Sequence, residues 1–219
     1  MSGIEVTHIG SANEPVVVID GFHPDFDELR AAAGRATFAR HAPHYPGLQA
    51  PADPRHLGAV GAVLERVFRE PFGITLGVDL VQCAYSLVTT PEARLTPMQR
   101  RPHIDTPDPG RIALLHYLSG EETGGTAFYR HRATGLDALD GASFRTFTDA
   151  LPDDPEPGPG YMRGSDAAFE MIHHIKARPN RAVLYRSRLL HSGHIPEDLP
   201  LSDDPATGRL TLNSFFQAR

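Results

Sequence analysis

The sequence predicts a mostly β domain, a sandwich or barrel with helices packed beside it. Three observations carry this. Twenty Gly and twenty Pro in 219 residues cut the chain into many short pieces. From about residue 78 onward most pieces are apolar, β-branched runs of strand length. Helical spacing is concentrated before about residue 75.

Taken in order, PVVVID from Pro15 is β-branched and reads as a strand. Pro24 or Asp25 can start a helix that places Phe26, Leu29 and Ala33 on one face. YPGLQAPADP, from Tyr45, reads as a Pro/Gly loop. A second helix follows from Arg55, with Leu57, Val60, Val63, Leu64, Val67 and Phe68 at helical spacing, ended by Pro71 and Gly73. VDLVQCAYSLVTT then reads as a strand, and HIDT, RIALLHYLS, GTAFYRHR, RAVLYRSRLLHSGHI and RLTLNSFFQ as further short strands. Between about Leu136 and Pro179 the pattern breaks. LPDDPEPGPG is a loop, and SDAAFEMIHHI, capped by Ser165, reads as a helix. An insertion of this size is expected either to cover a site as a lid or to decorate the surface. The expected organisation is one domain over residues 1–219, with helical support over about 1–80 and the insertion at about 136–179.

Composition narrows the function classes. A net charge of -6 leaves no basic field for nucleic acid. A single cysteine, Cys83, excludes an internal disulfide and a Cys-rich zinc site. No run approaches the ~20 apolar residues of a membrane helix, and the first residues carry no basic, apolar leader pattern. The expectation is a cytoplasmic protein with no membrane partner.

The chemistry gathers in a few places. In an extended segment alternate side chains share a face, so His103 and Asp105 of HIDT point one way and Ile104 the other. A histidine from a separate strand would complete two imidazoles and one carboxylate, the facial triad that leaves metal positions open in non-haem Fe(II) oxygenases. Two histidines compete, His191 and His194. His191 is preferred because it ends the apolar run, whereas His194 lies past a glycine where the chain turns. Arg209 opens the last apolar strand. Its burial demands an anion, which a dicarboxylate cosubstrate would supply through a two-pronged contact. Thr211, two residues on, shares its face and can donate a hydroxyl to the same carboxylate.

The order H-x-D, then GGTAF, then LLHSG, then RLT resembles the Fe(II)/2-oxoglutarate-dependent dioxygenases. HYLSGEETGGTAFYRHRATG resembles their prolyl-hydroxylase-like branch. VVVIDGFHPDFDELRAAA and YPGLQAP resemble the N-terminal region of an uncharacterised bacterial group within it, known by a domain of unknown function. The resemblance spans nearly the whole chain. One departure is that Arg209 stands where that branch often has Lys.

The resemblance implies a double-stranded β-helix, a jelly-roll, cupin-like barrel with helices on one side. It implies that His103, Asp105 and His191 bind Fe(II), that Arg209 and Thr211 hold the distal carboxylate of 2-oxoglutarate, and that Tyr85 hydrogen-bonds the same carboxylate. It further implies consumption of O2, release of succinate and CO2, and hydroxylation of an unactivated C–H bond. The substrate would be a small molecule, an amino acid or a peptidyl residue, including one borne on a carrier protein. A carboxylate at position 105 argues against the halogenases of the superfamily, which have a small residue there. Two rivals stand beside this reading: a cupin-like metal-dependent isomerase or lyase, which leaves Arg209 unexplained, and a non-catalytic binding barrel. His116 is expected to be a core histidine, and His173 and His174 are expected on the surface of a helix.

Overall fold

Short apolar strands pair into two antiparallel sheets that face one another. The structure, a computed structural model, describes residues 3–41 and 44–219. Its strands are β1 (Ile4–Ile9), β2 (Glu14–Asp20), β3 (Gly47–Pro51), β4 (Val78–Val88), β5 (Arg111–Tyr117), β6 (Gly125–His131), β7 (Phe169–Lys176), β8 (Arg181–Arg186), β9 (His191–His194) and β10 (Arg209–Ala218). The helices are α1 (Phe26–Gly34), α2 (Gly61–Arg69) and α3 (Gly141–Ala150). The large sheet runs β1-β2-β8-β5-β10-β4-β3 and the small one β7-β6-β9. Together they make the double-stranded β-helix, with the site between the sheets.

Period-two alternation decides which side chains enter that interior. Val16, Ala113, Tyr117, Val183 and Tyr185 from the large sheet meet Phe128 and Ile175 from the small one. The intervening residues of the large sheet point outward. There Val17, Ile19, Ile112, Leu114 and Leu184 receive Leu64, Val67 and Phe68 of α2. Each such burial is worth about 1.5–3 kcal/mol, so the face read from the helical spacing of α2 anchors it. Beside it, Leu29 and Ala33 of α1 cover Leu87, Leu210 and Leu212.

The structure corrects the sequence reading at several elements. The segment expected as a helix from Ser165 to Ile175 ends in a strand, β7, which pairs with β6. Its register puts His173 opposite Phe128 and Met171 opposite Tyr129, so Ile172 is an extra residue between them. That bulge interrupts the alternation of two, and the apolar positions then look helical. Because β7 is a wall of the barrel, the interruption between barrel strands is shorter than the expected 136–179. The N-terminal support is not only helical either, since β1 and β2 extend the large sheet beyond β8. Inside the expected Pro/Gly loop, β3 pairs with β4 from Gly47 to Pro51.

The inserted segment, with α3, packs on the outer face of the small sheet. Phe147, Ala168 and Phe169 join Ala127, Tyr129, Leu139 and Leu190 in one apolar cluster, and Ile104 packs against it. The insertion therefore buttresses, from behind, the two segments that carry His103, Asp105 and His191.

Gly124 has φ +93°, and a Cβ there would lie 2.0 Å from the His194 carbonyl oxygen. Gly125 approaches β7 so closely that a Cβ would lie 2.1 Å from the Ile175 carbonyl oxygen. The double glycine is thus required by backbone contact on both sides of β6.

Candidate metal centre

HIDT is not a regular strand. It is an extended segment pinned at two points. His103 forms an isolated bridge with His191, with N···O distances of 2.9 and 2.8 Å. The Asp105 amide donates to the Ser187 carbonyl at 2.9 Å. These backbone bonds hold the H-x-D pair against the start of β9, and the alternation of the segment sends Ile104 into the apolar cluster behind.

The result is one constellation. His103, Asp105 and His191 each offer a ligand atom, and those atoms lie within 4.8 Å of one another. The His103 and His191 ring centroids are 4.5 Å apart, and His191 Nε2 lies 3.8 Å from Asp105 Oδ1. His191 Nδ1 donates to the Leu189 carbonyl at 2.9 Å, which leaves Nε2 as the free lone pair. Tyr185 packs edge-on against the His191 ring at 4.9 Å. His191 is buried, whereas His103 and Asp105 keep surface open at the mouth. Protein closes around both imidazoles from behind, and burial pushes each down to about 4, helped at His103 by the neighbouring His191. Both rings are therefore neutral near pH 7, the form that binds a metal. Burial raises the Asp105 carboxyl, while His103, the Ser187 hydroxyl and Arg111 act the other way. No other group of three His, Cys, Asp or Glu side chains among the described residues gathers in this way.

His194 lies elsewhere. Its Nε2 meets the Arg163 carbonyl at 3.2 Å, and its ring stacks on His174 at 4.4 Å. His174 is on a strand edge rather than a helix surface, as is His173. His116 is a core histidine, 1% exposed, with Nε2 at 2.9 Å from Asn180 Oδ1.

Arg209 and Thr211 are both buried, at 5% and 1% exposure. Thr211 stands opposite Ser86 of β4 and Tyr117 of β5. Arg209 Nε donates to the Thr123 carbonyl at 3.0 Å and Nη2 to the Gly125 carbonyl at 2.8 Å. These bonds tie the large sheet to the turn before β6. Nη2 also lies 3.8 Å from where a Cβ on Gly193 would be, two residues past His191.

Tyr85 is a correction. It pairs with Leu212, so it has the opposite parity to Ser86 and Thr211 and points to the outer face. There its hydroxyl donates to the Leu29 carbonyl at 3.3 Å, against α1. Three tyrosines feel the Arg209 charge: Tyr117, whose hydroxyl shares a 2.6 Å hydrogen bond with Thr126, Tyr45 and Tyr161. Tyr117 was invisible as a site residue in the sequence, where it ends an apolar strand, and Tyr45 opens a Pro/Gly turn that either shapes a substrate entrance or is only a turn. Ser187 was missed as well: its hydroxyl is buried without a hydrogen-bond partner and acts to hold the Asp105 carboxyl down against burial.

A second layer fixes the approach to His103. Arg101, two residues earlier, donates to Asp154 at 3.0 Å, and His131 Nε2 meets the same carboxylate at 2.9 Å. The Asp154 side chain is 3% exposed. Asp154→Ala should cost about 3 kcal/mol of stability, because it strands a guanidinium and a buried imidazole together. Urea unfolding of the metal-free protein measures this, and a parallel metal titration should show weaker binding.

Residues 2–216, nearly the whole chain, match a single protein family. The chain belongs to the family of unknown function DUF6445. No curated protein matches the sequence. Among solved structures, the fold is similar to HygX from Streptomyces hygroscopicus with nickel, 2-oxoglutarate and hygromycin B bound. That comparison has a TM-score of 0.52 and 12% identity, and covers 92% of this chain and 82% of the other. It is also similar to a prolyl hydroxylase from Trichoplax adhaerens in complex with a hypoxia inducible factor oxygen degradation domain peptide, with a TM-score of 0.50 and 11% identity over 93% and 83% of the two chains. This DUF6445 member therefore has the jelly-roll fold of these proteins. No helix in the described residues is long and apolar enough to cross a membrane.

Proposed function

We propose that this DUF6445 protein is an Fe(II)- and 2-oxoglutarate-dependent oxygenase that hydroxylates an unactivated C–H bond, releasing succinate and CO2. The observation that carries the reading is the gathering of His103, Asp105 and His191 into one metal-sized cluster inside a jelly-roll barrel. Three protein ligands suit an iron that must also accept a 2-oxo acid and O2. Bound iron and 2-oxo acid supply the oxidising chemistry.

The chain supplies the rest. His191 is aimed by its Nδ1 bond to Leu189, and Asp105 is flanked by the Ser187 hydroxyl. Arg209 has five N–H donors, and the carbonyls of Thr123 and Gly125 take two of them. The remainder, with the Thr211 hydroxyl, suit the distal carboxylate of 2-oxoglutarate. Phe128 and Tyr185 wall the interior beside His191 and exclude water from it. Asp105 occupies the third ligand position with a carboxylate, which favours hydroxylation over halogenation. A cupin-like isomerase on the same barrel would leave the buried guanidinium of Arg209 only its structural bonds to the Thr123 and Gly125 carbonyls.

HygX has hygromycin B bound, and the Trichoplax enzyme a peptide. The substrate proposed here is accordingly a small molecule, an amino acid or a peptidyl residue, including one borne on a carrier protein. Iron-loaded protein given 2-oxoglutarate, O2 and pooled amino acids, peptides and small natural products should release succinate faster with one pool than with none. Succinate release that is indifferent to iron would sink the proposal.

A further inference from the structure

Alternation and register sort the inner wall of the barrel into layers about 7 Å apart, two residues of strand each. Tyr117 of β5, Arg181 of β8, Thr211 of β10 and Ser86 of β4 share one layer. Leu115, Val183 and Asn213 make the next, then Ala113, Tyr185 and Phe215. The His191 ring packs on Tyr185, so the metal cluster stands level with that third layer. One layer further out are Arg111 and Gln217, paired across β5 and β10. Ser187 is level with them: its amide donates to the Arg111 carbonyl at 2.9 Å, and its own carbonyl accepts the Asp105 amide. Arg209 lies beyond Thr211, at the opposite end. Arg111 therefore faces the mouth of the barrel, on the side of the metal cluster away from Arg209.

The half-buried Arg111 side chain is held at one edge and open at the other. Its Nε donates to Gln217 Oε1 at 2.9 Å, a neutral partner. A Cβ on Gly110 would lie 2.7 Å from Gln217 Nε2, so the glycine leaves the room in which that amide lies. The N–H groups of Nη1 and Nη2 have no partner among the described residues. No carboxylate among those residues is within ion-pair distance of Arg111 either. Asp105 meets His191 instead, and Asp108 accepts the Gly110 amide at 2.7 Å. The other strand arginines differ. Arg130 pairs with Asp137, Arg181 with Asp20 and Arg186 with Glu14. Among the described residues, Arg111 and Arg209 are the strand arginines that lack a carboxylate, and they stand on opposite sides of the metal cluster. A half-buried guanidinium without a counterion calls for an anion. One cation beside a neutral amide, in a chain of net charge -6, matches a monoanion better than a phosphate dianion.

We propose that Arg111 is a substrate-recognition residue, which holds a carboxylate of the substrate at the barrel mouth through Nη1 and Nη2 and so sets which C–H bond lies over the metal centre. The inference rests on the oxygenase reading given above. It narrows the substrate of that reading to one with a free carboxylate, and it gives Gln217 the task of aiming the guanidinium.

The test uses protein loaded with Mn(II) and saturated with 2-oxoglutarate, so that Arg209 is occupied, and two small probes, acetate and acetamide. Bound Mn(II) broadens the methyl proton signal of a probe held nearby. Acetate should be broadened, and acetamide, which has the same shape without the charge, should not. Arg111→Gln should weaken acetate about tenfold, the size of a hydrogen bond to a charged group. Arg111→Lys should fall between, since it keeps the charge and loses the fork. Anaerobic calorimetry should show Mn(II) and 2-oxoglutarate affinities as in wild type for both variants. Equal behaviour of the two probes, or acetate broadening that survives Arg111→Gln, overturns the assignment and leaves the oxygenase reading standing. Weaker Mn(II) binding in Arg111→Gln also overturns it, since Arg111 would then be a support for Asp105. If 2-oxoglutarate does not bind the Mn(II)-loaded wild type at all, the oxygenase reading fails and this inference with it.

Discussion

His191→Ala should remove most metal binding, whereas His194→Ala should leave it intact. Altering a group that merely orients a metal ligand costs ~10–100-fold in affinity, so losing one of three ligands should cost at least the upper figure. His191 contributes a buried Nε2 that faces Asp105 at 3.8 Å, with Nδ1 already committed to Leu189. His194 is on the same strand but turned to the Arg163 carbonyl and the His174 ring. The alternation of β9 does not by itself separate them, because three residues apart they have opposite parity and either could face inward. Titration of Fe(II) or Mn(II) into each variant under anaerobic conditions measures the difference. Reversed outcomes would move the metal to the other side of the small sheet. His103→Ala should resemble His191→Ala, although His103 also anchors its segment through the backbone bridge.

The second large effect is expected at Arg209. Arg209→Ala should weaken 2-oxoglutarate by roughly 30-fold or more, since truncating one partner of a buried charge pair costs ~2–5 kcal/mol at ~1.4 kcal/mol per tenfold. Iron affinity without cosubstrate should barely move. The structure adds a complication that the sequence did not contain. Arg209 also satisfies the carbonyls of Thr123 and Gly125. The Ala variant loses those bonds too and should unfold at lower denaturant. Arg209→Lys separates the two effects. It keeps a charge and some donors but not the fork, so it should retain most stability while still binding 2-oxoglutarate less well than wild type. Calorimetry against unfolding curves for both variants measures each part. Unchanged cosubstrate affinity in the Lys and Ala variants alike would favour the cupin-like alternative.

Much of the fold was legible along the chain because it depends on local period. The face of α2 lay in the spacing of Leu64, Val67 and Phe68, and these residues are buried together. The H-x-D pair was legible because two residues in an extended segment share a side whatever the fold. Arg209 and Thr211 were legible for the same reason, and both are buried. The errors have equally local causes. One extra residue, Ile172, gave β7 the spacing of a helix. The short run before Ala52 looked like a loop because its strand partner, β4, lies far on in sequence.

What the sequence alone determined, then, is the set of periodic elements and the pairs of side chains that alternation puts on one side. Which pairs meet was decided only by the tertiary structure, because register is a property of two strands. A shift of one residue between β4 and β10 would exchange Tyr85 for Ser86 on the inner wall. The observed register turns Tyr85 outward onto α1 and puts Ser86 beside Thr211. The bridge from His103 to His191 likewise joins segments far apart in sequence, and no spacing within either could have set it. The metal cluster exists because backbone hydrogen bonds between the HIDT segment, Ser187 and β9 bring three distant side chains within reach of one ion.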